Sequence, residues 1–587
     1  MRLSLRPFLP VLAGLLFPAA SIPAMEPAGG GSLDAACDCT ASERSGLLTL
    51  LQPPKARGPL PPPSTVLGRY SFVPMGGVVH RDLSINNLVD LNPAAGLLDA
   101  FGGTVTYNGH TGHDIDLVGF AEQDLGVPVF AALDGTVLQT HDGEFDRQTA
   151  SSAAPANYVI LDHGNTHYSF YWHLRKNSVA VNVGENVKAG QQLGLVGSSG
   201  NSTQPHLHFE TQVDGRVVEP FTGPSRPGQS LWLYQPTFPA PTVIRRMALS
   251  DTTLSGWDGK QALTWKAVWN TGTRLFYMPI MLANGPKLGM TRQFRVLRPD
   301  NSIAYDSGSS AWNVEYRSSW WWWSFNLSLN VAGTWRVDFL LNGSVAGSLP
   351  FTVVTSGTVA NRPPAPLPIA FERPAYSPDD VVVCQATAPA IMADPDFNPV
   401  SYQWVWRRNG TVVRSITHGG LMDALPRRTG AAGDAISCEV TATDGSLSAA
   451  PTTASLVLYE PYANWAARHG LAASAVSTDT DGDGLPDLAE YWLGTSPTTP
   501  NALPLATRRP GDGALVLTLP RIGGDPAVTA SVESSANLQG WNPAAADASG
   551  TVWTAGSAAD NARWMRARFS LGSGGPAATV TVAEVLP

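Results

Sequence analysis

Short apolar runs separated by turn residues recur along most of the chain. Val127 to Ala132, Tyr158 to Leu161 and Gln192 to Val196 are examples, with Gly, Asp or Asn close by. Runs of this length and punctuation predict β-strands joined by turns rather than long helices. The pattern predicts a mainly β, multidomain chain. A mostly antiparallel sheet domain is expected over 69–235, followed by a stiff linker containing Pro236, Pro239 and Pro241. A β-sandwich domain is expected over 244–357, closing on strands around Thr334 to Leu341 and Leu349 to Val354. A second proline-rich linker, Pro363 to Pro368, leads into a strand-like domain placed at 362–459. Two short helices are predicted within 460–500, one at 462–469 stopped by Gly470 and one at Leu488 to Leu493 before Gly494. Residues 501–587 return to strand patterning.

The N-terminus departs from this pattern. Arg2 and Arg6 precede an apolar run from Phe8 to Phe17, and small residues continue to Ala24. Basic, apolar, then small is the layout of a secretory signal peptide, placed at 1–24. The run is too short for the ~30 Å hydrocarbon core of a bilayer, so no stable membrane span is expected. The protein is expected to be exported, to the periplasm, the cell surface or the medium. Residues 25–68, rich in Gly, Pro and Ala, read as a linker or propeptide. Cys37 and Cys39 lie there, with their pairing open.

With 587 residues the chain has room for about four domains. Apolar residues make up 43%, which excludes wholesale disorder. Lys and Arg number 38 against 47 Asp and Glu, a net charge of −9, so no nucleic-acid partner is expected. Oligomeric state is not legible. In 362–459 the order Cys384, Trp404, Cys438 resembles an immunoglobulin-like sandwich. That resemblance implies a bridge between the two cysteines, joining two sheets over the tryptophan.

Nine of the 11 histidines fall within 69–235, which calls for a chemical explanation. The informative ones are His110 with Asp114 in GHTGHDIDL, His173 in FYWHL, and His206 and His208 in QPHLHFE. Catalytic zinc takes three protein ligands and keeps a fourth position for water, and histidine with a carboxylate suits it. Residues 206 and 208 are two apart on a predicted strand, so both point to one face. Gly112 is expected to let the loop turn so that His110 and Asp114 reach one ion. His113 and Asp116 are neighbours that a slip in register would substitute. His163 and His167 have helical zinc-site spacing but flank a Gly-Asn turn and lack a following Glu, so they read as loop residues.

These motifs, with GVPVFAALDGTV, NYVILDHG and GENVKAGQQLGLVGSSGNST between them, resemble the M23 peptidases of the lysostaphin and LytM type. The resemblance covers much of 107–210. It implies zinc held by His110, Asp114 and His208, and a catalytic pair in His173 and His206. It also implies a small antiparallel sheet with the site in a groove between loops, and the peptide part of peptidoglycan as substrate. The stretch from Asp114 to Gly126 is longer than the family usually has. One alternative is a non-catalytic cell-surface binding or adhesion protein, although relatives of that kind have lost zinc ligands and this chain keeps all five positions. Another is the same chemistry on Gly-rich proteins.

Two further features stand apart. DTDGDGLPDLAE places Asp479, Asp481, Asp483, Asp487 and Glu490 at positions 1, 3, 5, 9 and 12 of a calcium loop. Gly484 falls at position 6, and the carbonyl of Leu485 at 7. A structural Ca²⁺ is expected there beside the catalytic Zn²⁺. Trp320, Trp321, Trp322 and Trp323 run together, and on a strand would alternate faces, two packed inward and two outward where they could meet a glycan.

Overall fold

The strand-forming runs pair into antiparallel sheets because each buries one side chain in two while its backbone bonds sideways. The computed structural model describes residues 25–32, 68–254, 265–388, 393–504, 506–509, 512–555, 562–572 and 575–583. The expected signal peptide and the pair Cys37 and Cys39 lie outside the described residues.

The first strand is β1 (Gly29–Ser32). The histidine-rich domain then contributes β2 (Ser84–Asn87), β3 (Gly112–Asp116), helix α1 (Phe120–Asp124), β4 (Pro128–Phe130), β5 (Gly135–His141), β6 (Tyr158–Asp162), β7 (His167–Trp172), β8 (Asn186–Val187), β9 (Gln192–Leu195), β10 (His206–Val213) and β11 (Arg216–Val217). Its main sheet runs β2-β3-β10-β7-β6-β5-β8, with β11 beside β10, and β4 and β9 form a separate pair. Every pairing in it is antiparallel. Ile115, Val159, Leu161, Tyr171, Leu207 and Phe209 are buried in one core on one side of this sheet. That side leaves the alternate positions, among them Asp114, His206 and His208, to face the other way.

The second domain packs β12 (Val243–Met247) into a sheet with later strands. These are β13 (Val268–Asn270), β14 (Gly272–Ala283), β15 (Thr291–Leu297), β16 (Ile303–Asp306), β17 (Ser310–Ala311), β18 (Ser318–Leu329), β19 (Gly333–Leu341) and β20 (Ser344–Val354). Two sheets face each other, β1-β18-β14-β12 and β13-β20-β19-β15-β16, over Trp269, Phe276, Trp323, Phe325, Trp335 and Phe351. Trp321 and Trp323 are buried while Trp320 and Trp322 are only half-buried, as strand alternation requires. The outward pair is not open to water along its whole edge: β1 lies beside it, with Gly29 opposite Trp322 and Gly31 opposite Trp320. Residues 29–32, placed by the sequence in a linker or propeptide, are therefore an edge strand of this domain. Gly-Gly-Gly-Ser carries no apolar pattern, and its pairing rests on backbone hydrogen bonds.

The third domain sets β21 (Ile369–Phe371), β22 (Val382–Ala386) and β25 (Met422–Leu425) in one sheet. The facing sheet holds β23 (Ser401–Arg408), β24 (Thr411–His418), β26 (Ala435–Thr443) and β27 (Thr452–Val457). Cys384 and Cys438 sit on opposite sheets beside the buried Trp404, but the expected bridge is not formed. Both are buried free thiols. Helices α2 (Tyr462–Arg468) and α3 (Asp487–Leu493) follow, the second ended by Gly494 in the left-handed region. Two further four-stranded sheets complete the chain. Among the described residues no helix is long and apolar enough to cross a membrane.

Candidate active site

Register brings the site together. β10 lies antiparallel to β3 with His208 opposite Asp114 and His206 opposite Asp116. His110 ends the loop that enters β3, and His173 follows directly on β7, which flanks β10 on its other side. All five proposed side chains are completely buried.

His110 Nε2, Asp114 Oδ1 and His208 Nδ1 form a triangle with edges of 3.2, 2.9 and 3.2 Å. Ligands ~2.0–2.2 Å from a tetrahedral zinc would stand about 3.3 Å apart, so the donor set fits that ion in number, type and spacing. The tautomers fit as well. Carbonyl oxygens only accept, so His110 Nδ1 donates to Leu88 O at 2.7 Å and leaves its Nε2 lone pair facing the other two donors. His173 Nδ1 donates to Ser199 O at 2.7 Å, and His206 Nδ1 to Gln204 O at 2.8 Å. Their Nε2 atoms are thereby acceptors. His173 Nε2 has no hydrogen-bond partner, and His206 Nε2 lies 3.7 Å from Asp114 Oδ1. The rings of His173 and His206 are 4.6 Å apart. His173 is held at φ 65°, a sparsely populated conformation for a non-glycine residue and one that often marks functional sites.

Burial and charge set the proton affinities. Burial pushes the Asp114 carboxyl up, but His110, His208 and His206 around it outweigh that and hold it well below the usual carboxylate range. Burial, reinforced by the neighbouring imidazoles, takes His173 well below the ordinary histidine value. Burial also lowers His206, although Asp114 pulls the other way. His208 is pushed up to about 9 because Asp114 and Glu210 together overcome its burial.

Three supporting residues were not singled out in the sequence. Asn87 Nδ2 donates to Asp114 Oδ2 at 2.9 Å, from β2 beside β3. Arg317, from the second domain, hydrogen-bonds Asn87 Oδ1 through Nη1. Glu210 Oε2 accepts from Thr111 Oγ1 at 2.6 Å and lies 3.6 Å from His208 Nε2. Glu210 shares the strand parity of His206 and His208, a signal available in PHLHFE; nothing in sequence marks Asn87 or Arg317.

The alternative ligands lie elsewhere. His113 Nε2 pairs with Glu219 Oε1 at 2.7 Å on the core side of β3, and Asp116 Oδ2 accepts from Gln204 Nε2 at 2.9 Å. His163 bonds Asp134 O and Ser169 Oγ. His167, expected in a loop, is instead a buried residue of β7 bonded to the Tyr70 hydroxyl. Gly112 has another role than the turn expected of it. It opens β3, where an added Cβ would lie 2.6 Å from His208 Nε2 and 2.8 Å from Phe209 O. The longer stretch after Asp114 forms α1, whose Glu122 pairs with Arg246 of β12. At the second predicted cation site, ligand oxygens of Asp479, Asp481 and Asp483 lie within 4.8 Å of one another.

A sheet that presents a buried His-Asp-His group beside two more imidazoles defines the metallopeptidase class of site. Residues 108–220 match the model of peptidase family M23, and the chain carries a domain of that family there. Over 94 residues the chain is 39% identical to peptidoglycan DD-endopeptidase ShyA of Vibrio cholerae, covering 16% of this chain and 19% of that protein. Over 107 residues it is 37% identical to peptidoglycan DD-endopeptidase ShyC of the same organism, covering 18% and 22%. The chain thus spans about a fifth of the length of the curated relatives it matches. Among solved structures it is similar to the catalytic domain of the antimicrobial peptidase lysostaphin from Staphylococcus simulans. That likeness has 25% identity and a TM-score of 0.16, and covers 24% of this chain and 89% of that one. It is also similar to a zinc-containing peptidase from Vibrio cholerae, with 24% identity and a TM-score of 0.17, covering 26% and 39%.

Proposed function

We propose that the protein is an exported zinc endopeptidase that hydrolyses peptide bonds in peptidoglycan. The observation that carries this reading is the 2.9–3.2 Å triangle of His110, Asp114 and His208, with His206 Nε2 3.7 Å from Asp114 and the ring of His173 4.6 Å from that of His206. The substrate class is supported by the names of the relatives matched over the same residues. A peptidoglycan substrate places the activity in the periplasm or at the cell wall, in keeping with the expected signal peptide.

His110, Asp114 and His208 would hold the ion. Bound there, zinc supplies a Lewis acid toward water and the scissile carbonyl. Everything else falls to the chain. His173 and His206 are neutral at neutral pH because burial lowers both, so their Nε2 atoms are ready to take a proton from the attacking water. Once protonated, the pair can hold the oxyanion and return a proton to the leaving amine. Backbone carbonyls of Ser199 and Gln204 fix both rings, so little reorganisation is needed. Glu210, two residues from His208, is engaged by Thr111 and Gln212 and is not free to serve as the base.

The test is digestion of purified peptidoglycan by the full-length, zinc-loaded protein, with fragments read by mass spectrometry. New paired amine and carboxyl ends are expected, absent after chelation and in H208A. Intact walls, or cleavage confined to glycan bonds, would reject the reading.

A further inference from the structure

The acidic loop between α2 and α3 is built as a site and not merely as a charged turn. Asp479 gathers the backbone N–H groups of Gly482, Asp483 and Gly484, which folds the loop so that Asp479, Asp481 and Asp483 converge. The observation that points to a ligand lies behind them. Asp487 and Glu490, on the first turn of α3, are completely buried. Asp487 Oδ1 and Glu490 Oε2 have no hydrogen-bond partner, and neither has Asp481 Oδ2. Buried carboxylate oxygens without partners are costly and are retained where a cation satisfies them. Thr480 of the loop donates to Asp487 Oδ2 at 3.1 Å, and Asn501 donates to both Asp483 and Glu490, which sets the buried pair against the loop.

We propose that Asp479, Asp481, Asp483, Asp487 and Glu490 bind one Ca²⁺, and that the ion clamps the two-helix segment to the C-terminal sandwich. Hard oxygen donors with no His or Cys among them select Ca²⁺ over zinc. The number of carboxylates favours it over Mg²⁺, which keeps several waters. The clamp follows from what the loop touches. Leu485 and Leu488 are buried in one core with Leu515, Leu517 and Phe569 of the sandwich. Asn501, on the strand side, donates its N–H to Asp483 Oδ2 at 2.5 Å and its Nδ2 to Glu490 Oε1 at 3.2 Å. Satisfying the carboxylates thus fixes both the helix and the chain that leads into the sandwich.

The experiment uses the full-length zinc-loaded protein, freed of calcium by resin and titrated with CaCl₂ or MgCl₂. Binding is read by calorimetry, and limited proteolysis is read by mass spectrometry. One Ca²⁺ per chain is expected, with protection of fragments beginning near residue 460 that Mg²⁺ does not reproduce at equal concentration. E490Q should weaken calcium binding at least about tenfold. D481N/D483N, altering only the outer part of the loop, should abolish the calcium effect in a folded chain. Absence of calcium heat and protection in the wild type would overturn the proposal, as would undiminished binding in both variants.

Discussion

Asp114 is held by more than the histidines that share its oxygen. Asn87 fixes the second oxygen, and Gly112 leaves room for the ring of His208. Groups that orient ligands are typically worth 10–100-fold in metal affinity. N87A and G112A should therefore each weaken zinc binding by roughly that factor, measured by competition with a chromogenic chelator. H173A makes the opposite prediction: metal content by mass spectrometry unchanged, and turnover down about 10²–10⁴-fold. Loss of zinc from H173A would mean that ligand and base have been confused. Four of the five side chains stand at local spacings, 110 with 114 through one loop and 206 with 208 on one strand, whereas the place of His173 beside them was implied only by the resemblance to the M23 peptidases. The pairing of His208 with Asp114 is a matter of register between β10 and β3, which no local spacing encodes. Asn87 and Arg317 were not legible for the same reason, since each matters only through a neighbour distant in sequence.

At the scale of elements, strand patterning gave the β class and the alternation of the tryptophan run, because burial follows a period of two. It missed β1, whose glycines carry no pattern. The resemblance of the Cys384, Trp404, Cys438 order to an immunoglobulin-like sandwich implied a bridge, but both cysteines are free thiols. What ties the two sheets of that domain together more firmly is Asp423 on β25. This buried carboxylate accepts two hydrogen bonds from Arg414, at 2.9 Å each, and one from Trp406 Nε1 at 2.7 Å. Burial raises Asp423, but His418 and Arg414 outweigh it and hold the carboxyl far below its ordinary value of 3.8. The unfolded chain therefore takes up a proton at acid pH more readily than the folded one. The stabilisation is complete above the unfolded value and drains away as pH falls below it toward the folded value. Urea midpoints should fall on acidification below about pH 4, with no contribution from this group between pH 5 and 8. D423N should cost about 3–5 kcal/mol at neutral pH and flatten the acid limb.

At the scale of the whole molecule, the peptidase-type domain is not a bead on a string. Phe72, Phe130 and Ala189 share a buried cluster with Val381, Val383, Met422 and Ala424 of the third domain. Arg245 of β12 donates to Asp116 O on the strand that carries Asp114, and Arg317 reaches Asn87. An excised 69–235 fragment would expose that apolar face, and each large side chain there is worth about 1.5–3 kcal/mol when covered. It should aggregate or melt well below the full chain in calorimetry, and extension of the fragment to 69–459 should recover much of the loss. R317A in the full chain should lower zinc affinity in the same assay as N87A, and N87A/R317A should be no worse than N87A alone if the two act through one contact.

Between these domains Gly420 meets Gly76, where an added Cβ at Gly420 would collide with the carbonyl oxygen of Gly76. Two main chains that meet with no side chain between them make a seam with no play in it. Under the proposed function, the site would be turned only by turning both domains together, so its aim at a substrate would be set before contact rather than found by a swinging domain.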